Sequence, residues 1–461
     1  MFSTSFAFAA LLIAASIGGI YAGIRLGKSM ALGSAMAIAS ISGSWFEIRT
    51  FGVAINVATA TAAVFLVGYC LHSRRRLFAT GNWIDAAVAA LVLWHIFVDI
   101  YHGDSPVQTV LLAYGQWALP YAAGRYAWIR RDDLGMLALM YAAAACVISI
   151  ACAAESLTSW NLWEWITPRD TRVSFVRGLR YDLLYRANGP TRHAIFVGVV
   201  LLTLLPWPIM LADDSDRPKR LRLWALLAAG VLLLGIFSSV SRGPALAAVI
   251  VIVFAACSRN TVAVAIAGCG LVTMLALVAI VPDRIADVLE ARPDGPSQST
   301  VVVLDQDGQA VRQNSARSRL LVLQVYGPLV VRGGPIGYGT AASTGFPPRN
   351  LPGLTKDPVA LRQIAFVDNA FIGIGLRFGW VGFALLIAVF FTAAGTAFAL
   401  APEAGTFFYP RSRTSLITLG ITIIAAALVS ATVYFDRDHG FWVMFLIGST
   451  SGVRESIKGF D

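Results

Sequence analysis

The feature that most constrains this chain is a repeated apolar run, long enough in most cases to cross a bilayer. Such runs fall at 5–24, 29–46, 50–71, 84–101, 107–128, 134–153, 193–212, 223–240, 244–257, 261–281, 369–400, 415–434 and 440–453. A hydrocarbon core ~30 Å thick takes about 20 helical residues to span. The runs at 29–46 and 440–453 are the weakest, so the expected total is about 12–13 transmembrane helices. Composition agrees: 57% of the residues are hydrophobic and only 13% are charged, where soluble domains carry about 25% charged residues. One large soluble core is thereby excluded. The fold class is an all-α polytopic membrane protein. The organisation reads as an N-terminal transmembrane bundle (1–153), a loop with an interfacial helix (154–192), central transmembrane helices (193–281), a large loop (282–367) and C-terminal transmembrane helices (368–461).

Charge in the short loops sets the orientation. Arg74 to Arg76, Arg130 and Arg131, Arg217 to Arg222, Arg411 and Arg413, and Arg454 with Lys458 all fall on one side of the alternating spans. The positive-inside rule makes that side cytoplasmic. The long loops 154–192 and 282–367 then face outward. The N-terminus has no basic region and no obvious small-residue cleavage site, so the first run reads as a spanning helix and not as a removed signal peptide. Cys70, Cys146, Cys152, Cys257 and Cys269 lie in or beside apolar runs without metal-ligand spacing, which reads as membrane packing. The net charge is +10, and only Lys28, Lys219, Lys356 and Lys458 among the 36 basic residues are lysines. Arginine grips phosphate oxygens with two parallel donors, so the bias points to anionic ligands; an Arg-rich codon usage explains it equally well.

The outward loops carry the candidate chemistry. Trp160, Trp163 and Trp165 are spaced for an interfacial helix at headgroup level. Six arginines from Arg169 to Arg192 follow, which either meet an anionic ligand or pair with Glu155, Glu164, Asp170 and Asp182. Asn188-Gly189-Pro190 marks a turn, and Thr191 or Asn188 is the expected cap of the helix that brings in Arg192 and His193. A helix N-terminus with a basic residue favours an anion. Ser241-Arg242-Gly243-Pro244 is a tight connection between two spans. It leaves Arg242 recessed below the headgroups, where an arginine faces protein, water or an anionic partner, or snorkels outward.

The longest polar interruption ends in NSARSRLLVLQVYGPLVVRGGPIGYGT, a Pro/Gly-rich segment and FVDNAFIGIGLRFGW, between Asn314 and Trp380. The preceding TVVVLDQDGQAVRQ reads as a β-hairpin turning at Asp307-Gly308. Its Asp-x-Asp-Gly run lacks the further ligands of a calcium loop. Arg317 and Arg319 open an amphipathic helix. The glycines of GGPIGYGT are not a dinucleotide fingerprint, because they neither follow a strand nor open a helix; they read as sites of close backbone approach. Asp368, at the mouth of the next helix, is either its N-cap or a carboxylate serving as a base.

RANGPTRHAIFVG, SRGPALA, SRLLVLQVYGPLVVRGGPIGYGT and DNAFIGIGLRFGWVGF occur in that order over roughly 185–395. Their order and placement resemble the O-antigen ligase and polysaccharide repeat-unit polymerase superfamily of bacterial inner membranes. The resemblance implies a GT-C-like membrane glycosyltransferase working at the periplasmic face, with no metal or other cofactor. It implies an undecaprenyl-diphosphate-linked glycan donor, a glycan acceptor, membrane lipids and possible chain-length-regulator and flippase partners, and no nucleic acid. In the ligase branch a His-Asn pair opens the helix after the large loop; here the pair is Asp368-Asn369. That departure favours a polymerase of exopolysaccharide, capsule or O-antigen repeats over an O-antigen ligase. The expected catalytic residues are Asp368, with His193 as the other candidate base. The expected substrate-binding residues are Arg192, Arg242, Arg317, Arg319 and Asn369. A lipid-linked glycan transporter or flippase is the competing class, disfavoured because no internal repeat is visible and the charges cluster at one face.

Overall fold

The computed structural model describes residues 4–50, 53–72, 81–128, 134–166, 184–214, 217–280, 316–344, 367–401, 412–435 and 437–458, with shorter pieces at 179–180, 302–304, 310–312, 348 and 350–354. Among these, seven helices are long and apolar enough to cross a membrane: Thr4–Leu26, Trp83–Tyr101, Leu134–Thr158, Ala194–Asp213, Lys219–Ser238, Ala370–Leu400 and Arg413–Ser430. Shorter apolar helices at Val57–Leu71, Arg242–Cys257, Val262–Thr273 and Leu321–Arg332 accompany them. The chain is therefore an all-α, multi-pass membrane protein by length and composition.

The helices run in chain order as α1 (Thr4–Leu26), α2 (Lys28–Ser42), α3 (Val57–His72), α4 (Trp83–Tyr101), α5 (Pro106–Ala113), α6 (Leu119–Ala127), α7 (Leu134–Thr158) and α8 (Leu162–Ile166). There follow α9 (Ala194–Leu204), α10 (Pro206–Asp213), α11 (Lys219–Ser238), α12 (Arg242–Cys257) and α13 (Thr261–Ile280). The last are α14 (Ala316–Arg332), α15 (Gly339–Ser343), α16 (Ala370–Leu400), α17 (Ser412–Ser430) and α18 (Gly440–Lys458). Among the described residues strand is confined to three small antiparallel pairs, Glu47–Thr50 with Val53–Asn56, Leu179–Arg180 with Leu184–Tyr185, and Val302–Leu304 with Ala310–Arg312. The first pair corrects the expectation of one apolar span over 50–71. A hairpin comes first, and the helix begins only at Val57, where the Asn56 carboxamide accepts the Thr59 N–H at 2.8 Å. The third pair is the expected hairpin; its turn lies outside the described residues. Of the interfacial tryptophans, Trp163 is buried and donates to Ile41 O at 2.8 Å, while Trp160 and Trp165 are exposed.

Helix α9 lies at the centre, apolar and buried on every face, as a helix without a polar stripe must be. The bundle has two polar ends. At one, Arg125 bridges Asp85 and Glu455 at 3.0 Å each, Arg259 meets Asp213 at 2.9 Å, and Ser258 donates to Thr414 at 2.8 Å. These residues flank the short arginine-bearing loops. At the other end Gly43 packs on Pro190, Arg437 pairs with Glu47 at 3.0 Å, and Arg192 pairs with Asp438. The Arg125 end is tight because α6 and α18 touch backbone to backbone: a Cβ on Gly448 would lie 1.9 Å from Tyr121 O.

Two spans are interrupted. Between α5 and α6 the chain widens into a π-turn at Tyr114–Ala118. Helix α16 breaks at Gly379, with φ 68° and ψ −172°, because the GGPIGYGT loop is wedged against it. Trp380 N–H donates to Gly334 O at 3.1 Å, and Tyr338 N–H donates to Leu376 O at 2.8 Å. A Cβ on Gly379 would meet Pro335 O at 2.2 Å, and one on Gly337 would meet Gly379 N at 2.4 Å. The expected close backbone approach is thus loop to helix. Gly379→Ala is expected to destabilise the protein by at least ~1–3 kcal/mol through its left-handed φ alone, with the collision added. Thermal unfolding in detergent checks this; an unchanged midpoint would show that the loop is not held there.

Candidate functional site

The polar groups at the Arg192 end gather around the turn that leads into α9. Tyr185 O accepts from Ser156 Oγ at 2.8 Å, and Ala187 N–H donates to Ser238 O at 3.1 Å. Gly189 takes a left-handed φ of 55°. The Asn188 and Gly189 amides donate to the two oxygens of Glu155 at 3.1 and 2.8 Å, and Asn161 Nδ2 donates to Gly189 O at 3.0 Å. Glu155 is fully buried. Its two oxygens are held by amides of the turn, the partners a buried carboxyl needs.

Arg192 follows this turn. Its backbone N–H donates to Asp438 Oδ2 at 2.9 Å, Nε lies 3.1 Å from Oδ1, and Nη2 lies 2.8 Å from Oδ1. Asp438 is buried completely, while the Arg192 side chain is 27% exposed. Burial raises the Asp438 pKa, but the Arg192 charge and its hydrogen bonds outweigh that effect and hold the carboxyl below its ordinary range. His439 comes next in the chain. Its ring is fully buried, stacked on Phe196 at 4.9 Å and edge-on to Phe435 at 5.7 Å. Neither ring nitrogen has a hydrogen-bond partner among the described residues. Burial first, and the Arg192 charge second, push its pKa down to about 4 against the pull of Asp438, so the imidazole is neutral at pH 7. Each orphaned polar group costs about 1–3 kcal/mol.

His193 caps α9. Its Nδ1 accepts the Ile195 N–H at 3.2 Å, which corrects the expectation that Thr191 or Asn188 caps this helix. Thr191 instead donates within the turn, to Asn188 O and His193 O. With Nδ1 accepting, the neutral ring carries its proton on Nε2, so His193 can take up a proton as a base only by giving up the cap. Arg242 is exposed at the first position of α12, after Ser241, whose Oγ accepts from Arg186 Nη2 at 3.0 Å. Just before it Val240 sits at φ 45°, a left-handed conformation that a β-branched residue adopts only under strain.

Asp368 and Asn369 stand at the same end of the bundle, at the mouth of α16. The cap is Asn369, not Asp368: its carboxamide accepts the Ile372 N–H at 3.0 Å. That occupies the oxygen of a residue expected to bind substrate. Asp368 has its pKa raised by burial, with the Arg319 charge pulling the other way. Of the expected residues, Arg319 is thus the one whose charge acts on Asp368. Arg317 lies in the first turn of α14, and its side chain is outside the described residues.

A third polar group fastens the GGPIGYGT loop to α4. Trp117, within the π-turn, donates from Nε1 to His95 Nδ1 at 3.0 Å, and His95 Nε2 lies 3.0 Å from Asp99 Oδ2. Asp99 Oδ1 accepts the Thr340 N–H at 2.9 Å, and His102 Nε2 lies 3.1 Å from Gly337 O. Sequence reasoning named none of Asp438, His439, His95 and Asp99, and offered Glu155 as a partner for the loop arginines, where it instead accepts from the Asn188 and Gly189 amides. For Asp438 and His439 a signal existed: Asp436-Arg437-Asp438-His439 is a charged quartet in the short link between two apolar runs.

Among the described residues no cluster of three or more His, Cys, Asp or Glu side chains could hold a metal ion. Compared with protein-family models and with curated proteins, the chain matches none.

Removing one partner of a buried ion pair leaves an uncompensated charge and costs about 3–5 kcal/mol. Arg192→Leu should therefore destabilise the protein by about that much, discounted for the part of Arg192 that reaches solvent. Adding Asp438→Leu to it should recover most of the loss. Thermal unfolding of both variants checks this, and a double variant no more stable than the single one would refute the pairing.

Proposed function

We propose that the protein is a metal-independent membrane glycosyltransferase. In this reading it joins undecaprenyl-diphosphate-linked oligosaccharide repeats into exopolysaccharide, capsule or O-antigen. The Arg192 end then faces the periplasm of a bacterial inner membrane. The observation that carries the reading is the convergence at one end of the bundle of two features. One is the arginine-bearing turns at Arg186–Arg192 and Ser241–Arg242; the other is the half-buried carboxyl of Asp368, which feels the charge of Arg319.

The chemistry asks for such a pair of features. An acceptor hydroxyl oxygen attacks the anomeric carbon of the donor sugar, and the bond from that carbon to the phosphate oxygen breaks. The lipid diphosphate departs with the bonding electrons, and arginines stabilise the charge it gains. The hydroxyl proton passes to a carboxylate, and Asp368 takes that part. A carboxyl whose pKa is raised by burial is a stronger base once ionised than an exposed one. Arg242 is exposed beside a strained turn, where a guanidinium can reach a ligand. Arg317 and Arg319, on the loop helix, serve the same diphosphate.

Because Asn369 holds the cap, Asp368→Asn leaves the helix start intact and removes only the ionisable group. We expect this variant to assemble in the membrane and to make polymer about 10²–10⁴-fold more slowly. In the wild type, activity should fall as the pH drops through a value above the ordinary carboxylate pKa of 3.8, because protonation below that point removes the base. Turnover of purified lipid-linked repeats in proteoliposomes is the measurement; wild-type rates in Asp368→Asn would exclude it as the base. Arg242→Ala should abolish polymer, and Arg242→Lys should be strongly impaired because lysine lacks the planar fork. Normal chain lengths in Arg242→Ala cells at matched expression would make Arg242 a structural anchor only.

A further inference from the structure

We infer that His439 is a substrate-binding residue, the buried end of a subsite that receives a hydroxyl of a neutral sugar next to the Arg192–Asp438 pair. The inference rests on the glycosyltransferase reading and adds a residue that the sequence resemblance does not supply.

The first ground is the imidazole itself. It lies fully buried between Phe196 and Phe435, with both nitrogens unpartnered among the described residues. A phenylalanine would fill the same aromatic slot without that cost. A chain that keeps a histidine there is keeping one donor and one acceptor. A hydroxyl group, which both donates and accepts, is the ligand that matches them.

The second ground is charge. Arg192 is matched by Asp438, and the ring is neutral at pH 7, so the group as a whole carries no net charge. A phosphate would gain little here over the exposed Arg242. A neutral polyol, by contrast, fits polar groups set among aromatic rings. Phe196, Phe435 and Tyr434 supply those rings; Phe196 is edge-on to Tyr434 at 5.3 Å. The third ground is access. Arg192 and Tyr434 are the partly exposed members of the group, while Asp438, His439 and both phenylalanines are buried. A ligand therefore reaches the ring from the Arg192 side, by displacement of those two side chains.

A residue kept for binding and one kept for folding respond oppositely to replacement by an apolar isostere. In His439→Phe the orphaned polar atoms disappear. We expect an unfolding midpoint equal to or above that of the wild type, together with at least tenfold weaker binding of purified undecaprenyl-diphosphate-linked repeats to the protein in lipid nanodiscs. His439→Gln keeps a donor and an acceptor and should bind with intermediate affinity. In turnover assays the loss should fall on KM more than on kcat. A lowered midpoint in His439→Phe would assign the histidine to folding, through an internal water or otherwise, and would overturn the inference. Unchanged binding in His439→Phe would overturn it as well. Binding is measured without turnover, so a wild-type protein that binds the repeats but never joins them would refute the polymerase reading and leave this test standing.

Discussion

Hydrocarbon offers no hydrogen-bond partner, so each break in a spanning helix must be closed by the protein itself. This one requirement accounts for much of the polar detail. Where α16 breaks at Gly379, the carbonyl of Phe378 accepts from Trp94 Nε1 at 2.8 Å, and the Trp380 amide is taken by Gly334 O. Where the chain turns before α9, Glu155 holds two amides. Serine and threonine within the spans turn their hydroxyls onto their own helix, as Thr418, Thr422, Ser430 and Ser449 do to the carbonyls four residues back. With these needs met locally, the remaining buried charges are exceptional.

Burying an ion pair gives little stability over well-packed apolar residues and often costs some. Arg192–Asp438 adjoins His439, whose ring packs on Phe196 and Phe435, so the surroundings of the pair are largely apolar. It is therefore poor evidence of a stability device. It fixes geometry: two side-chain nitrogens and the backbone amide of Arg192 converge on one carboxylate, which pins the start of α9 to the start of α18. The cluster of Arg125, Asp85 and Glu455 does the same for α4, α6 and α18 at the opposite end.

The fold class was legible because hydrophobic run length is a one-dimensional signal. The ends of runs were less so. The strand pair at 47–50 and 53–56 runs into an apolar helix, and the cross-strand pairing from Glu47–Asn56 to Thr50–Val53 is what sets it apart. Roles within a motif were harder still. Asp368 and Asn369 are adjacent and both residue types cap helices well, so residue type alone does not say that Asn369 takes the cap. That Arg319 acts on Asp368 accords with their shared place in the polar stretch from Asn314 to Trp380. The partner of Arg192 was not legible, because Asp438 lies 246 positions away along the chain. No periodicity or spacing connects them.

The aromatic rings join these groups without making one proton path of them. Trp117 donates to His95 and stacks on Phe435 at 5.1 Å; Phe435 meets His439, which lies on Phe196. The continuity is of packing, since phenylalanine carries no exchangeable proton and none can pass from one imidazole to the other along this row. The two histidines must then act separately. His95 has both nitrogens engaged, by Trp117 and Asp99, and holds the GGPIGYGT loop through Asp99 and Thr340. It is a fixed part of the frame. His439 sits in the same row of rings with neither nitrogen engaged among the described residues, which leaves it as the one imidazole of the pair able to respond to an arriving polar group.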